Sequence, residues 1–203
     1  MHSDAVAVCI PSREHVHADF AIDLATSVGH LVARNIKTSV HSAKGTYIFD
    51  QREKLVVAGM EAGASCILFA DSDMRFTPDA VISLISGLDE YSIVAANYPM
   101  RVDPYRPTAM ILKGGDWEYP TSTGKTGREE IHAAGFGLVA IRSEVFASMK
   151  RPWFQGLVMS ADGGIISEDV SMCLKAANAG HKIAIDHDAS QGVAHIGVIE
   201  HRF

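Results

Sequence analysis

Cys66-Ile67-Leu68-Phe69-Ala70 is an unbroken apolar run, and it stops at Asp71-Ser72-Asp73. A run this short, without alternation, predicts a strand buried on both faces at the centre of a sheet. Towards the N-terminus, residues 5–10 form a second β-rich run, halted by Pro11-Ser12. Between the two, Ala21, Leu24, Ala25, Val28, Leu31 and Val32 recur with helical period over residues 18–32, and residues 38–41 suit a short strand. Asp50, with Glu53 three residues on, offers a capping box for a helix through 55–62, with Gly63 as its stop. Towards the C-terminus, Thr77-Pro78 starts a helix with Val81, Leu84, Ile85 and Leu88 on its inner stripe, and residues 93–96 form the next strand. The first half thus alternates strand and helix. That predicts an α/β fold with a mostly parallel central sheet and helices on both faces.

The second half is less regular. Residues 114–128 hold glycine, threonine and charges, with Trp117 and Tyr119 as the large side chains, and read as a loop able to act as a lid. Residues 135–141 are glycine-rich and then strand-like, and residues 143–149 suit a short helix. Ser167 caps a helix to about Asn178, with Val170, Cys173, Leu174 and Ala177 as its buried face and Gly180 as its stop. Residues 183–185 form a late strand. There is no internal repeat or clear linker, so residues 1–203 are expected to form one domain. Its halves would be about 1–98 and 99–203.

Composition bounds the function. Of the 203 residues 47% are hydrophobic and 21% charged, enough apolar content to build a core without staples. Cys9, Cys66 and Cys173 lie far apart in apolar runs, which argues against a zinc knuckle and for reduced thiols in a cytoplasmic setting. No apolar stretch reaches the roughly 18 residues of a membrane span. A net charge of −6 disfavours a nucleic acid as main partner, although Arg101, Arg106, Lys113, Lys125 and Arg128 could line a local basic groove.

In parallel sheets ligands sit beyond the carboxyl ends of the strands, which puts Pro11-Ser12-Arg13 and Asp71-Ser72-Asp73 at the ligand edge. Two carboxylates at that spacing suit a hard cation such as Mg²⁺ or Mn²⁺, which takes one or two protein oxygens and leaves the rest to water and phosphate. Taken alone, the D-x-D is also an ordinary polar turn. Glu168 and Asp169, in the first turn of a helix, are equally what a helix dipole favours. His195 sits in Val193-Ala194-His195-Ile196-Gly197, where a core histidine is the plainer reading.

These pieces also occur in a fixed order. Ile10-Pro11-Ser12 precedes Leu68-Phe69-Ala70-Asp71-Ser72-Asp73; Gly135-Phe136-Gly137-Leu138-Val139-Ala140-Ile141-Arg142 and Ser167-Glu168-Asp169-Val170 come next. Ala179-Gly180-His181-Lys182-Ile183 and Ala194-His195-Ile196-Gly197 close the series. From Ala5 to Gly197 the series resembles the GT-A nucleotide-sugar glycosyltransferases, especially the broad family 2 type. The resemblance implies a Rossmann-like GT-A fold and a nucleotide-diphosphate sugar donor, a UDP- or GDP-sugar. Pro11, Ser12 and Arg13 would meet base and ribose, with Ser72 beside them. Asp71 would face the ribose or a metal-bound water, Asp73 would bind Mn²⁺ or Mg²⁺, and His195 would complete the metal shell. Asp169 would be the base of an inverting transfer, with Glu168 orienting it or touching acceptor, and Gly135 to Gly137 would let backbone approach the sugar. Arg52 stands in for the Arg-Asn pair that family 2 enzymes often carry before the D-x-D strand. The acceptor is not named by the sequence. Retaining GT-A enzymes share the D-x-D and the histidine; a non-catalytic nucleotide-sugar module could keep the D-x-D and lose the base, and the presence of Asp169 and His195 counts against it. A nucleotidyltransferase would want a glycine- and lysine-rich loop where Pro11-Ser12-Arg13-Glu14 stands.

Overall fold

A computed structural model describes residues 5–102, 104–156, 158–159 and 165–197. In chain order the elements are β1 (Ala5–Ser12), α1 (Ala18–Ala33), β2 (Lys37–Lys44), α2 (Ile48–Glu61), β3 (Cys66–Ala70), β4 (Met74–Phe76), α3 (Pro78–Gly87) and β5 (Ile93–Ala95). There follow β6 (Ile111–Lys113), β7 (Asp116–Glu118), β8 (Arg128–Ile131), β9 (Leu138–Arg142), α4 (Ser143–Ser148), β10 (Val158–Met159) and β11 (Ile165–Ile166). The last are α5 (Glu168–Asn178), β12 (Ile183–Asp186), α6 (His187–Gln191) and β13 (Val193–His195).

The central sheet runs β2-β1-β3-β9-β5-β12-β8. β9 is antiparallel to both β3 and β5, and β8 is antiparallel to β12; the other strands share one direction. Strands from both halves of the chain therefore make one sheet. Alternate side chains of its central strands feed two cores, because successive residues of a strand point to opposite faces. Ala7, Cys9, Ile67, Phe69, Val139 and Ile141 join Leu55 and Val56 of α2, Val145 and Phe146 of α4, and Met172 and Cys173 of α5. Val6, Val8, Leu68, Ala140 and Val94 join Phe20 and Leu31 of α1, Val81 and Leu84 of α3, and Ala189 of α6. Helices thus cover both faces, as the alternation of the first half predicts.

Local differences from the sequence expectations have physical causes. β1 runs on through Pro11 and Ser12. Its pairing with β3 ends at Cys9, while pairing with β2 continues to Ser12 opposite Lys44. Pro11 therefore lacks its N–H beyond the last residue that pairs with β3. α2 begins at Ile48 with Tyr47 as N-cap, so Asp50 is inside the first turn and pairs with Lys54 at 2.6 Å. Glu53 forms no capping box; it is buried and accepts the backbone N–H groups of Trp153 and Phe154. Ser167 is the N-cap of α5, but its hydroxyl donates to the Asp169 carboxylate instead of capping an amide. The buried face of α5 is Met172, Cys173 and Ala176, and Ala177 is exposed. Residues 114–128 are not all loop: β6 and β7 form a hairpin whose turn, Gly114-Gly115, has φ of 60° and 101°. Two consecutive positive φ values are what a tight hairpin turn requires and glycine supplies. Thr77 caps α3 as expected, accepting from the Ala80 amide. Among the described residues no helix is long and apolar enough to cross a membrane.

A short pairing completes the ligand edge. β4 follows the D-x-D turn and pairs antiparallel with β13, setting His195 opposite Met74. The Ile196 amide also donates to the Asp73 carbonyl at 2.8 Å.

Candidate active site

Arg52 of α2 is the buried centre of this edge, 2% exposed. Its Nη2 donates to both Asp71 oxygens, at 3.1 and 3.3 Å, and its Nε to Glu168 Oε1 at 3.3 Å. The guanidinium lies 5.0 Å from the Phe69 ring centre and 5.6 Å from that of Phe136. One cation therefore ties the end of β3 to the start of α5. Burial pushes the Asp71 carboxyl up to about 6; Asp73, Glu168 and Asp169 add to the rise, and Arg52 opposes it.

Asp73 points the other way. Its Oδ2 accepts from Arg101 Nη2 at 2.5 Å, and its Oδ1 lies 3.7 Å from His195 Nε2. Partial burial works to raise its carboxyl, yet the His195 contact and the Arg101 charge hold it below the usual range. The His195 ring stands edge-on to Tyr98 with centres 5.6 Å apart, and its Nδ1 is buried with no partner among the described residues. His187 lies between Ser122 at 2.9 Å and Glu129 at 3.0 Å.

The two acids at the start of α5 part company. Glu168 turns to Arg52, while Asp169 lines a cavity of about 740 Å³ with His195, Arg101, Arg106, Trp117 and Tyr119. Asp169 Oδ1 is oriented by the Ser167 hydroxyl and by the Val170 amide at 2.8 Å. A second cavity, of about 280 Å³, is lined by Pro11, Ser12, Arg13, Gly45, Thr46 and Gln51 together with Asp71, Ser72 and Asp73. The first loop and the acidic loop thus share one pocket. Gly135 and Gly137 have a packing reason to be glycine: a Cβ at Gly137 would lie 2.4 Å from the Tyr98 hydroxyl oxygen and one at Gly135 2.9 Å from it.

Sequence reading did not assign Arg101 or Tyr98 to this site. Their partners, Asp73 and His195, lie far off in sequence and meet them through tertiary contacts that no local period encodes. The other cations of the suggested basic groove have partners of their own. Lys113 meets Glu118, Lys125 meets Glu129, Arg128 meets Asp186, and Arg106 lies 4.3 Å from the Tyr119 ring centre.

The donor set suits a hard divalent cation. Asp71, Asp73, Glu168 and Asp169 face the guanidiniums of Arg52 and Arg101, a local excess of negative charge that also lifts Asp71. Asp73 and His195 converge, and among the described residues no compact group of three His, Cys, Asp or Glu side chains exists. A cation here would take few protein ligands and leave positions for phosphate and water, as Mn²⁺ and Mg²⁺ do.

The sequence matches no family model and no curated protein. The fold is that of the GT-A nucleotide-diphospho-sugar transferases. It is similar to a mutant Drosophila β1,4-galactosyltransferase 7 in complex with manganese, UDP-Gal and xylobiose, at TM-score 0.55 and 13% identity over 96% of this chain and 71% of that one. TarS from S. aureus in complex with UDP gives 0.56 and 13% over 95% of this chain, which spans 60% of that one. The protein A197 from STIV gives 0.57 and 20%, over 98% of this chain and all of that one.

Proposed function

We propose that this chain is a divalent-cation-dependent glycosyltransferase that moves a sugar from a UDP- or GDP-sugar to an acceptor hydroxyl with inversion. The observation that carries the reading is the acidic turn after β3: Asp73 meets His195 there, between a pocket holding the 11–13 loop and a larger cavity holding Asp169. The nucleotide occupies the smaller pocket and the sugar the larger cavity. Asp73 and His195 would hold Mn²⁺ or Mg²⁺, with Asp71 beside them, and the cation would supply charge neutralisation for the departing diphosphate. Arg52 keeps Asp71 and Glu168 in register, so Glu168 acts as a positioning residue. The acceptor oxygen bonds to the anomeric carbon as the bond to the diphosphate oxygen breaks, and Asp169 takes the acceptor's proton. The 1–98 half contributes the nucleotide pocket and the 99–203 half the base and the wall of the larger cavity. The reduced thiols fit a cytoplasmic site of action.

Calorimetry with UDP, GDP, ADP and CDP, with and without Mn²⁺, tests this reading. One diphosphate should bind in a Mn²⁺-dependent way, and Asp73→Ala and His195→Ala should each weaken it. Asp169→Asn should bind like the parent while transfer to an acceptor panel falls by about 10²–10⁴. Absence of nucleotide binding under every condition would overturn the reading.

A further inference from the structure

The two cavities meet at one ion pair. Asp73 lines the smaller pocket, and Arg101 lines the larger cavity with His195. Arg101 Nη2 and Asp73 Oδ2, at 2.5 Å, therefore sit on the boundary between them. A donor with its nucleotide in one space and its sugar in the other lays its diphosphate across that boundary. We propose that Arg101 is a diphosphate-binding residue that serves as counter-ion of Asp73 in the ligand-free protein and passes to the diphosphate when a divalent cation takes that carboxylate. The proposal rests on the nucleotide-sugar reading above.

A cation taken up between Asp73 Oδ1 and His195 would repel a guanidinium on the same carboxylate and weaken the hold of Oδ2 on Arg101. Displacement is easy, because the Arg101 side chain is 46% exposed and an exposed pair resists a competitor only roughly two- to five-fold. The freed guanidinium then has a better partner at hand, since its planar fork of donors matches phosphate oxygens. The base of the 98–108 loop is closed by the Met100 amide on the Arg106 carbonyl at 2.8 Å and by the Thr108 amide on the Tyr98 carbonyl at 3.1 Å.

The test uses Arg101→Met, which keeps most of the stem and removes the charge. Arg75→Met is the control: Arg75 carries the same charge and is also partly exposed, but it pairs with Asp19 and Asp23. Free Mn²⁺ is followed by electron paramagnetic resonance, and UDP and GDP binding in saturating Mn²⁺ by calorimetry. Arg101→Met should bind Mn²⁺ alone roughly two- to five-fold more tightly. It should bind the preferred diphosphate roughly tenfold or more weakly, the loss of a charge-assisted hydrogen bond. UMP or GMP, with one phosphate fewer, should lose less, and Arg75→Met should change neither affinity. Opposite signs for the two ligands are the signature of a counter-ion exchange. Unchanged diphosphate affinity, or weakening of both ligands together, would overturn the role of Arg101 while leaving the nucleotide reading intact. If the parent protein binds no diphosphate, that reading fails and this proposal with it.

Discussion

Replacing Arg52 by methionine should be the most damaging single change at the ligand edge, and its cost should depend on pH. The side chain is 3% exposed and holds Asp71 at 3.1 Å and Glu168 at 3.3 Å. Methionine fills part of the space but leaves two carboxylates without their shared cation. Removing one partner of a buried pair costs about 3–5 kcal/mol. In a chain of this length each kcal/mol moves Tm by about 2–4 °C, so the expected fall is roughly 6–20 °C. Burial holds Asp71 up at about 6 in the folded protein against an ordinary value of 3.8, so the folded state binds its proton more tightly than the unfolded chain. Ionising Asp71 therefore erodes stability as pH rises through the interval between those values. Without Arg52 the downward pull is lost, the folded value rises further, and the interval widens upward. The gap between variant and parent should then be widest near pH 8 and narrower near pH 5, where a proton replaces the missing guanidinium. Urea unfolding followed by circular dichroism at both pH values measures it. A gap under about 1 kcal/mol, or one equal at the two pH values, would refute the view that Arg52 holds these acids by charge. Arg52→Lys should fall between the two, since a lysine keeps the charge but loses the fork that reaches both acids.

Two further outcomes follow from packing. Gly137→Ala would place a Cβ 2.4 Å from the Tyr98 hydroxyl oxygen and 2.9 Å from the Met74 sulfur, so thermal unfolding should report a loss of about 1–3 kcal/mol; no loss would mean that Tyr98 yields freely. Burial pushes the thiols of Cys9, Cys66 and Cys173 each up to about 12, so near pH 8 a disulfide reagent should find no reactive thiol in the native protein and three in denaturant; rapid native labelling would contradict their burial.

The parallel half of the fold was legible because each element there carries its own local signal. Cys66–Ala70 is a strand with the bounds its apolar run marks, and Thr77-Pro78 starts α3 with Thr77 as cap. The place of β9 was not legible: its buried residues Leu138, Val139, Ala140 and Ile141 read as a strand, but direction and neighbours are set by the whole chain. The same limit applies at the candidate site. Asp71, Asp73, Asp169 and His195 stood out by type and order. Arg101 looked like one of several surface cations, because its partner lies 28 residues away in sequence. The turn and second strand of the β6–β7 hairpin were read as loop because each strand is three residues long and five of the hairpin's eight residues are charged or glycine.

The misread capping box carries the larger lesson about how the two halves are joined. Asp50 and Glu53 match the spacing of a cap, and that match hid what Glu53 does. Its carboxylate accepts the amides of Trp153 and Phe154 and pairs with Arg151 at 3.0 Å, while the residue before it, Arg52, grips Glu168. Neighbouring residues of α2 therefore clamp the chain at 151–154 and again at the first residue of α5. Because Asp169 follows Glu168 directly, its placement beside the larger cavity depends on a helix of the first half. A carboxylate used as a base must be held within a few tenths of an ångström of its target, and a backbone pinned on one side by the buried Arg52–Glu168 pair meets that demand better than a free helix end. Arg52 and Glu53 thus do with charge what a hydrophobic interface does elsewhere: they fix the second half of the chain against the first at the point where the proposed chemistry is most sensitive to position.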